Sequence, residues 1–417
     1  MNFSEMKIPS PVLGIIQKLH DHSYEGWLVG GAIRTLLMGQ TPKDWDLTTN
    51  ATPEQVQKIF PHTIETGLAY GTVTVVMDAM QIQVTTFRKE GEYEDHRKPK
   101  EVEYCGSILD DLSRRDFTMN AIAYNPVLEK MEDPYQGEDD IQHRWIRAVG
   151  DSNLRFQEDA LRILRALRFQ SQLGFSIEDP TLQSMVDSSK LLLTLSRERI
   201  REEFGKWLLG EYFSMTKETV KRLNLFQIWE VAPSSSFYEH WDSIAAMQST
   251  LLFRLSALLD LYVTAEPPAD KIRICLNLLK SLKFPQALIS KVIQFIEFLN
   301  LPMDIDLVEK RLSLIKKSLD IGFDDAILLL DWKLQQTSNK PLLLKVKNHI
   351  QNLKNQGFAQ KVRPLAINGS QIMSTLNLQP GPQIREILEE LENWVLEHPD
   401  SNSSQKLLEL VQQKKGP

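Results

Sequence analysis

Two aspartates, Asp44 and Asp46, stand one residue apart, with Trp45 and Leu47 as their apolar neighbours. In an extended chain residues i and i+2 project from one face, so this spacing brings the carboxylates together and turns Trp45 and Leu47 into a core. Paired carboxylates repel unless a cation lies between them. Hard oxygen ligands suit Mg2+, which completes its shell with phosphates and water. Such a pair serves two-metal phosphoryl transfer, one ion activating a hydroxyl and the other orienting a triphosphate. An isolated Asp-x-Asp is more often a solvated turn, but the preceding residues carry a matching feature. An apolar run at 27–29 meets Gly30-Gly31 and then a helical pattern bearing Arg34. Glycines at a strand-to-helix turn let the backbone approach a phosphate, and Arg34 can add a bidentate contact one turn later.

Two further strings complete the set: Arg114-Arg115-Asp116-Phe117-Thr118-Met119-Asn120-Ala121, and Glu158-Asp159-Ala160-Leu161-Arg162 followed by Arg165 and Arg168-Phe169. With Gly30 to Leu47, they stand in an order and approximate spacing that resemble the bacterial class II tRNA nucleotidyltransferases, the CCA-adding enzymes of the polymerase-β superfamily. The resemblance extends over the whole chain and includes Leu365-Ala366-Ile367-Asn368-Gly369 and Gly381-Pro382.

The resemblance implies an α+β fold, a polymerase-β-like head with a mixed sheet followed by an all-helical neck, body and tail. It gives Asp44 and Asp46 as catalytic ligands of two Mg2+ ions, and Gly31 and Arg34 as triphosphate contacts. Arg115 becomes a sugar or phosphate contact, and Asp159, Arg162, Arg165 and Arg168 face the nucleotide from a neck helix. CTP and ATP are then the substrates and the 3′ end of tRNA the partner. One departure stands at Gln83, where members of the family often carry Glu, so a third carboxylate role is in doubt there.

Selection of C and A follows from hydrogen-bonding edges. Cytosine and adenine each offer an amino donor beside a ring-nitrogen acceptor, whereas uracil and guanine offer a carbonyl beside a ring N–H. A carboxylate with a guanidinium matches the first pattern and leaves buried polar groups unmatched against the second. Asp159 and Arg162, three apart in a helical pattern, are expected on one face as such a pair. Taken alone they read as a surface ion pair on an amphipathic helix with Leu161, Leu164 and Leu167 as its stripe. The head motifs reverse that choice.

These residues need a scaffold. Residues 73–77 and 82–87 alternate as strands around a turn at 78–81. From Trp145 onward apolar residues recur at spacings of three and four, as in 159–170, 197–209, 251–262, 271–282, 307–319 and 383–397. The expected divisions are a catalytic head at 1–143, a base-recognising neck at 144–210, a body at 211–310 and a tRNA-binding tail at 311–417. A chain of 417 residues, 42% apolar and 25% charged, readily forms several domains. No apolar run could span a bilayer and the polar start lacks a signal sequence, so no membrane association and a cytoplasmic location are expected. Two cysteines, Cys105 and Cys275, make neither a disulfide framework nor a zinc knuckle.

A net charge of −7 opposes polyanion binding globally, yet residues 332–385 contain no acid and hold Lys333, Lys340, Lys345, Lys347, Lys354, Lys361, Arg363 and Arg385. This segment is the expected tRNA platform, with Arg197, Arg199, Arg201 and Lys206 closer to the acceptor end. Residues 88–99 are charged and turn-forming and read as a mobile loop between strands. In the family a loop here, with a base resembling Arg97, is implicated in the switch from C to A. Its presence favours full CCA synthesis or A addition alone. An A-adding enzyme and a bacterial poly(A) polymerase share these motifs and remain alternatives, as does an inactive RNA-binding scaffold. His20-Asp21 lacks the downstream partners of a phosphohydrolase.

Overall fold

A computed structural model describes residues 7–68, 71–90, 93–94, 98–99, 102–337 and 340–413. The chain divides into two compact units, residues 1–232 and 233–417. Among the described residues no helix is long and apolar enough to cross a membrane.

The first unit is built on a mixed sheet. Its described strands are β1 (Gly26–Val29), β2 (Asp46–Thr49), β3 (Thr63–Gly67), β4 (Thr72–Met77), β5 (Met80–Thr86), β6 (Ala123–Asn125) and β7 (Lys130–Glu132). They lie in the order β7-β6-β1-β2-β5-β4-β3. All neighbours are antiparallel except β2 and β5, whose parallel register sets Asp46 beside Gln83. The expected hairpin is present, with its turn at Asp78 and Ala79, both at positive φ as a two-residue connection demands. Helices α1 (Ser10–Asp21), α2 (Gly31–Leu37) and α3 (Pro53–Ile59) cover the sheet, α1 burying Val12, Ile15, Ile16 and Leu19.

The strandless loop expected at 88–99 is instead ribbon where it is described. Arg88–Glu90 pairs with Val102–Tyr104, and Tyr93–Glu94 with Lys98–Pro99. Arg97 lies outside the described residues.

Beyond α4 (Ile108–Ser113) and α5 (Gly137–His143) the chain becomes helical: α6 (Ser152–Glu158), α7 (Leu161–Leu173), α8 (Asp179–Asp187) and α9 (Arg197–Leu208). Helix α7 ends at Gly174 in the left-handed conformation and packs on α9. Its far end is pinned backbone to backbone: Tyr212 N–H donates to Ser171 O at 2.7 Å, and a Cβ on Gly210 would lie 2.4 Å from that same oxygen. The second unit is helical. Its core is formed around Phe253, Phe295, Phe298, Leu329, Trp332, Val346 and Ile350. Helices Leu251–Tyr262, Pro268–Ser281, Val308–Ile321 and Pro382–Glu397 match the periodicity within a few residues.

Candidate nucleotide site

Eight of the nine residues singled out from sequence as nucleotide contacts or metal ligands line one cavity of about 440 Å³ in the first unit: Gly31, Arg34, Asp46, Arg115, Asp159, Arg162, Arg165 and Arg168. Asp44 is the exception. It precedes β2 in a bend and is exposed, whereas Asp46 opens the strand and reaches the cavity. The expected alternation holds all the same, since Trp45 and Leu47 are buried. Burial pushes the Asp46 carboxyl above its ordinary range; Arg115 opposes the rise and Asp44 adds to it. The acid pair is thus under-compensated, and a divalent cation with oxygen ligands fits it. Among the described residues no cluster of three His, Cys, Asp or Glu is placed to hold a metal. Gln83 is exposed and in register with Asp46.

The backbone turns into the cavity at Gly30, whose φ of +65° favours glycine, and a Cβ there would lie 3.2 Å from the Arg115 guanidinium. Seven arginines face the cavity (Arg34, Arg114, Arg115, Arg162, Arg165, Arg168, Arg199) against three aspartates, Asp46, Asp116 and Asp159. Asp111, Glu158 and Glu203 pair with four of these arginines from behind the lining, so the surplus of positive charge belongs to the cavity wall.

Buried Asp116 organises much of this charge. Its Oδ2 accepts from Arg165 Nε at 2.7 Å, and its Oδ1 accepts from Phe117 N–H at 2.8 Å and Asn120 Nδ2 at 3.0 Å. Burial works to raise its pKa, but Arg165 and these donors bring it to about 2. Asn120 Oδ1 in turn accepts from Arg34. Arg34 is brought down to about 10 by burial, against the pull of Asp116 and with the repulsion of Arg168 and Arg165. Arg34, Arg165 and Arg168 sit 5.1, 5.5 and 4.5 Å from the centre of the Phe169 ring, whose π face partly offsets their mutual repulsion. The buried Nε atoms of Arg34 and Arg115 have no acceptor. Buried donors without partners are costly, and an anion entering the cavity would satisfy them.

The expected Asp159 and Arg162 pair does not exist as one helix face. Helix α6 ends at Glu158 and α7 begins at Leu161, so Asp159 lies in extended backbone between them. Its Oδ1 accepts from Leu161 N–H at 3.0 Å, a local bond that competes with helix continuation, and its Oδ2 accepts from Arg199 Nη2 at 2.7 Å. Arg162 is 5% exposed and donates to Arg155 O, Glu158 Oε2 and Arg114 O. Asp116, Asn120 and Phe169 were part of the motif strings without an assigned role; their place behind the arginines depends on contacts far apart in sequence. Arg199, expected near the tRNA acceptor end, lines this cavity, and Arg197 donates to Ile228 O.

The acid-free stretch at 332–385 is not acid-free in space. Lys345 reaches Asp306 at 2.6 Å, Lys347 reaches Asp331 at 2.5 Å, Lys361 reaches Asp400 at 2.9 Å and Arg363 reaches Asp320 at 2.8 Å. Lys354 pairs with Asp324 and Arg385 with Glu389, while Lys333 is drawn inward to Leu299 O. The acids come from outside the stretch, which no linear reading could show.

A family model described as the Poly A polymerase head domain matches residues 26–147. Two more, a tRNA nucleotidyltransferase domain 2 and an RNA- and SrmB-binding site of polymerase A, match residues 270–411 and 174–231. The chain is 34% identical over 413 residues to a CCA-adding enzyme of Geobacillus sp. (strain WCH70), covering 97% of each. It is 47% identical over 214 residues to the CCA-adding enzyme of Anoxybacillus flavithermus, covering 51% of this chain and 54% of that one. Among solved structures it resembles the Bacillus stearothermophilus CCA-adding enzyme in complex with CTP, with a TM-score of 0.74, 28% identity and 98% of both chains covered.

Proposed function

The chain belongs to the CCA-adding enzymes, tRNA nucleotidyltransferases with a polymerase-β-like head, and from this premise we propose how its cavity adds C, C and A to the 3′ end of tRNA from CTP and ATP, releasing pyrophosphate. The observation that carries the reading is the excess of arginines over aspartates in one cavity beside the acid pair, with buried guanidinium donors lacking acceptors.

Gly30 and Gly31 let the triphosphate approach the backbone, and Arg34, Arg115 and Arg168 donate to its oxygens. Arg165, held by Asp116, keeps the neck side of the cavity positive. Asp159 accepts from the exocyclic amino group of C or A, and Arg162 donates to the adjacent ring nitrogen after releasing one of its present acceptors. Divalent metals generally serve this family; here Asp44 and Asp46 would hold two Mg2+ ions. When bound, they lower the pKa of the attacking 3′ hydroxyl and stabilise the leaving pyrophosphate.

In this reading residues 1–143 are the catalytic head, 144–210 the base-reading neck, 211–310 a body and 311–417 a tail that holds tRNA by its backbone. The work is cytoplasmic, where its tRNA substrate is matured. The test is extension of tRNA transcripts ending before CC, after CC and after CCA, with CTP and ATP separately and together. Expected are two C residues on the first with CTP alone and CCA with both nucleotides, one A on the second and none on the third. Extension of the second transcript alone would make the protein an A-adding enzyme, and a long A tail would make it a poly(A) polymerase.

A further inference from the structure

We propose that Arg199 is a positioning residue for base selection, aiming the carboxylate of Asp159 at the incoming nucleotide; this rests on Asp159 being the acceptor that reads the amino group. Asp159 lies where α6 has ended and α7 has not begun, so no helical frame orients its side chain. Two donors from different elements do so instead, Leu161 N–H on Oδ1 at 3.0 Å and Arg199 Nη2 on Oδ2 at 2.7 Å. A carboxylate offers about four acceptor positions, so one remains on each oxygen for an amino group. Both side chains line the cavity and neither is sealed, at 19% exposure for Asp159 and 26% for Arg199.

The support behind Arg199 is stiff. Helix α9 packs on α7 through a core containing Phe204 and Trp207, whose rings lie 5.0 Å apart. One turn after Arg199 the same helix presents Glu203 to Arg168 Nε at 3.2 Å. Residues four apart share a helix face. Helix α9 therefore backs the nucleotide-facing groups with charges of opposite sign, a cation behind Asp159 and an anion behind Arg168. Held this way, Asp159 can only accept at its cavity edge. It meets the amino groups of C and A and opposes the carbonyls of U and G. Freed from Arg199, it can rotate, and the contrast between the two kinds of base weakens.

The experiment compares kcat/KM for CTP, ATP, UTP and GTP on full-length protein with tRNA transcripts ending before CC and after CC. The variants are Arg199→Met, Arg199→Lys, Asp159→Ala and the double variant Arg199→Met with Asp159→Ala. The expected result for Arg199→Met is a fall of about tenfold in the preference for CTP over UTP and for ATP over GTP, the scale of one mispaired polar contact. Arg199→Lys should recover part of it, because Lys keeps the charge and loses the planar fork. Should the Met variant unfold, Lys carries the test through a smaller fall in the same ratios. In the Asp159→Ala background, Arg199→Met should change the ratios less than about twofold, since the two residues act as a unit. Equal losses for all four nucleotides, or additive effects in the double variant, would overturn the proposal in favour of direct contact or plain structural support. If Asp159→Ala retains full discrimination, the base-reading role falls and the proposal with it; if only Arg199→Met does, Asp159 keeps its role and Arg199 loses the one assigned here.

Discussion

Around Phe169 three guanidiniums crowd one aromatic ring, largely withdrawn from water, and the buried Nε of Arg34 has no acceptor. Between residues 332 and 385 the cations reach carboxylates from outside the stretch, and most of those pairs are open to solvent. The first arrangement stores unfavourable desolvation and repulsion that an entering triphosphate relieves, so it gains in strength when filled. The second is already neutralised, and exposed pairs of this kind contribute little to stability and exchange partners easily. A cluster built for a small polyanion is thus marked by unsatisfied, buried charge. On the proposed tRNA-binding tail, lysines stay paired until phosphates displace the local acids.

This contrast can be broken at several points. The largest effect is expected at the acid pair: Asp44→Ala or Asp46→Ala should reduce incorporation by more than about a thousandfold, the scale of losing a principal electrostatic stabiliser of the transition state. Equal incorporation by either variant in single-turnover extension would remove the site assignment. Next, Arg34→Met should raise KM for CTP and ATP alike by about 10- to 100-fold, as for a charge-assisted hydrogen bond worth about 1.5–3 kcal/mol, while tRNA binding stays unchanged. Selective loss of one nucleotide would mean that Arg34 reads the base and not the phosphates.

Titration gives the same cluster a pH signature. With its pKa brought to about 10, Arg34 is charged at neutral pH and loses its proton as pH rises through that value. CTP affinity should therefore fall across that range, and Arg34→Met should flatten the fall. A wild-type affinity unchanged above the transition would place the decisive charge elsewhere. The smallest effects belong to the second region. Lys345→Glu with Lys347→Glu should weaken tRNA binding several-fold and lower its salt dependence by about one unit per lysine, leaving KM for nucleotides untouched. Asp306→Asn with Asp331→Asn should do the reverse and tighten tRNA binding. If neither pair of changes moves tRNA affinity at any salt concentration, these lysines are structural partners only.

Much of the head was legible because its signals are local. The alternation around Trp45, the glycine turn before Arg34 and the hairpin at Asp78 each span a few residues, and the structure keeps them. The neck was read less well. A helical pattern running through residue 159 hides the break there, because the apolar stripe continues on both sides while Asp159 spends its carboxylate on Leu161 N–H. The roles of Asp116 and Arg199 depend on partners 49 and 40 residues away, and the lysines of 332–385 likewise meet acids from outside the stretch. Charge counted along a chain gives composition, and only packing shows which charges meet.

The seam between Gly210 and Ser171 bears on how such a protein could be remade. Because the contact there is main chain against main chain, with no room for a methyl group, α7 has a fixed origin from which every group along it is measured. Side chains facing the cavity can be exchanged in a combinatorial library without sliding the helix, so altered appetites for nucleotide analogues would be traceable to the swapped group itself. Gly210 is a position such a library should leave untouched.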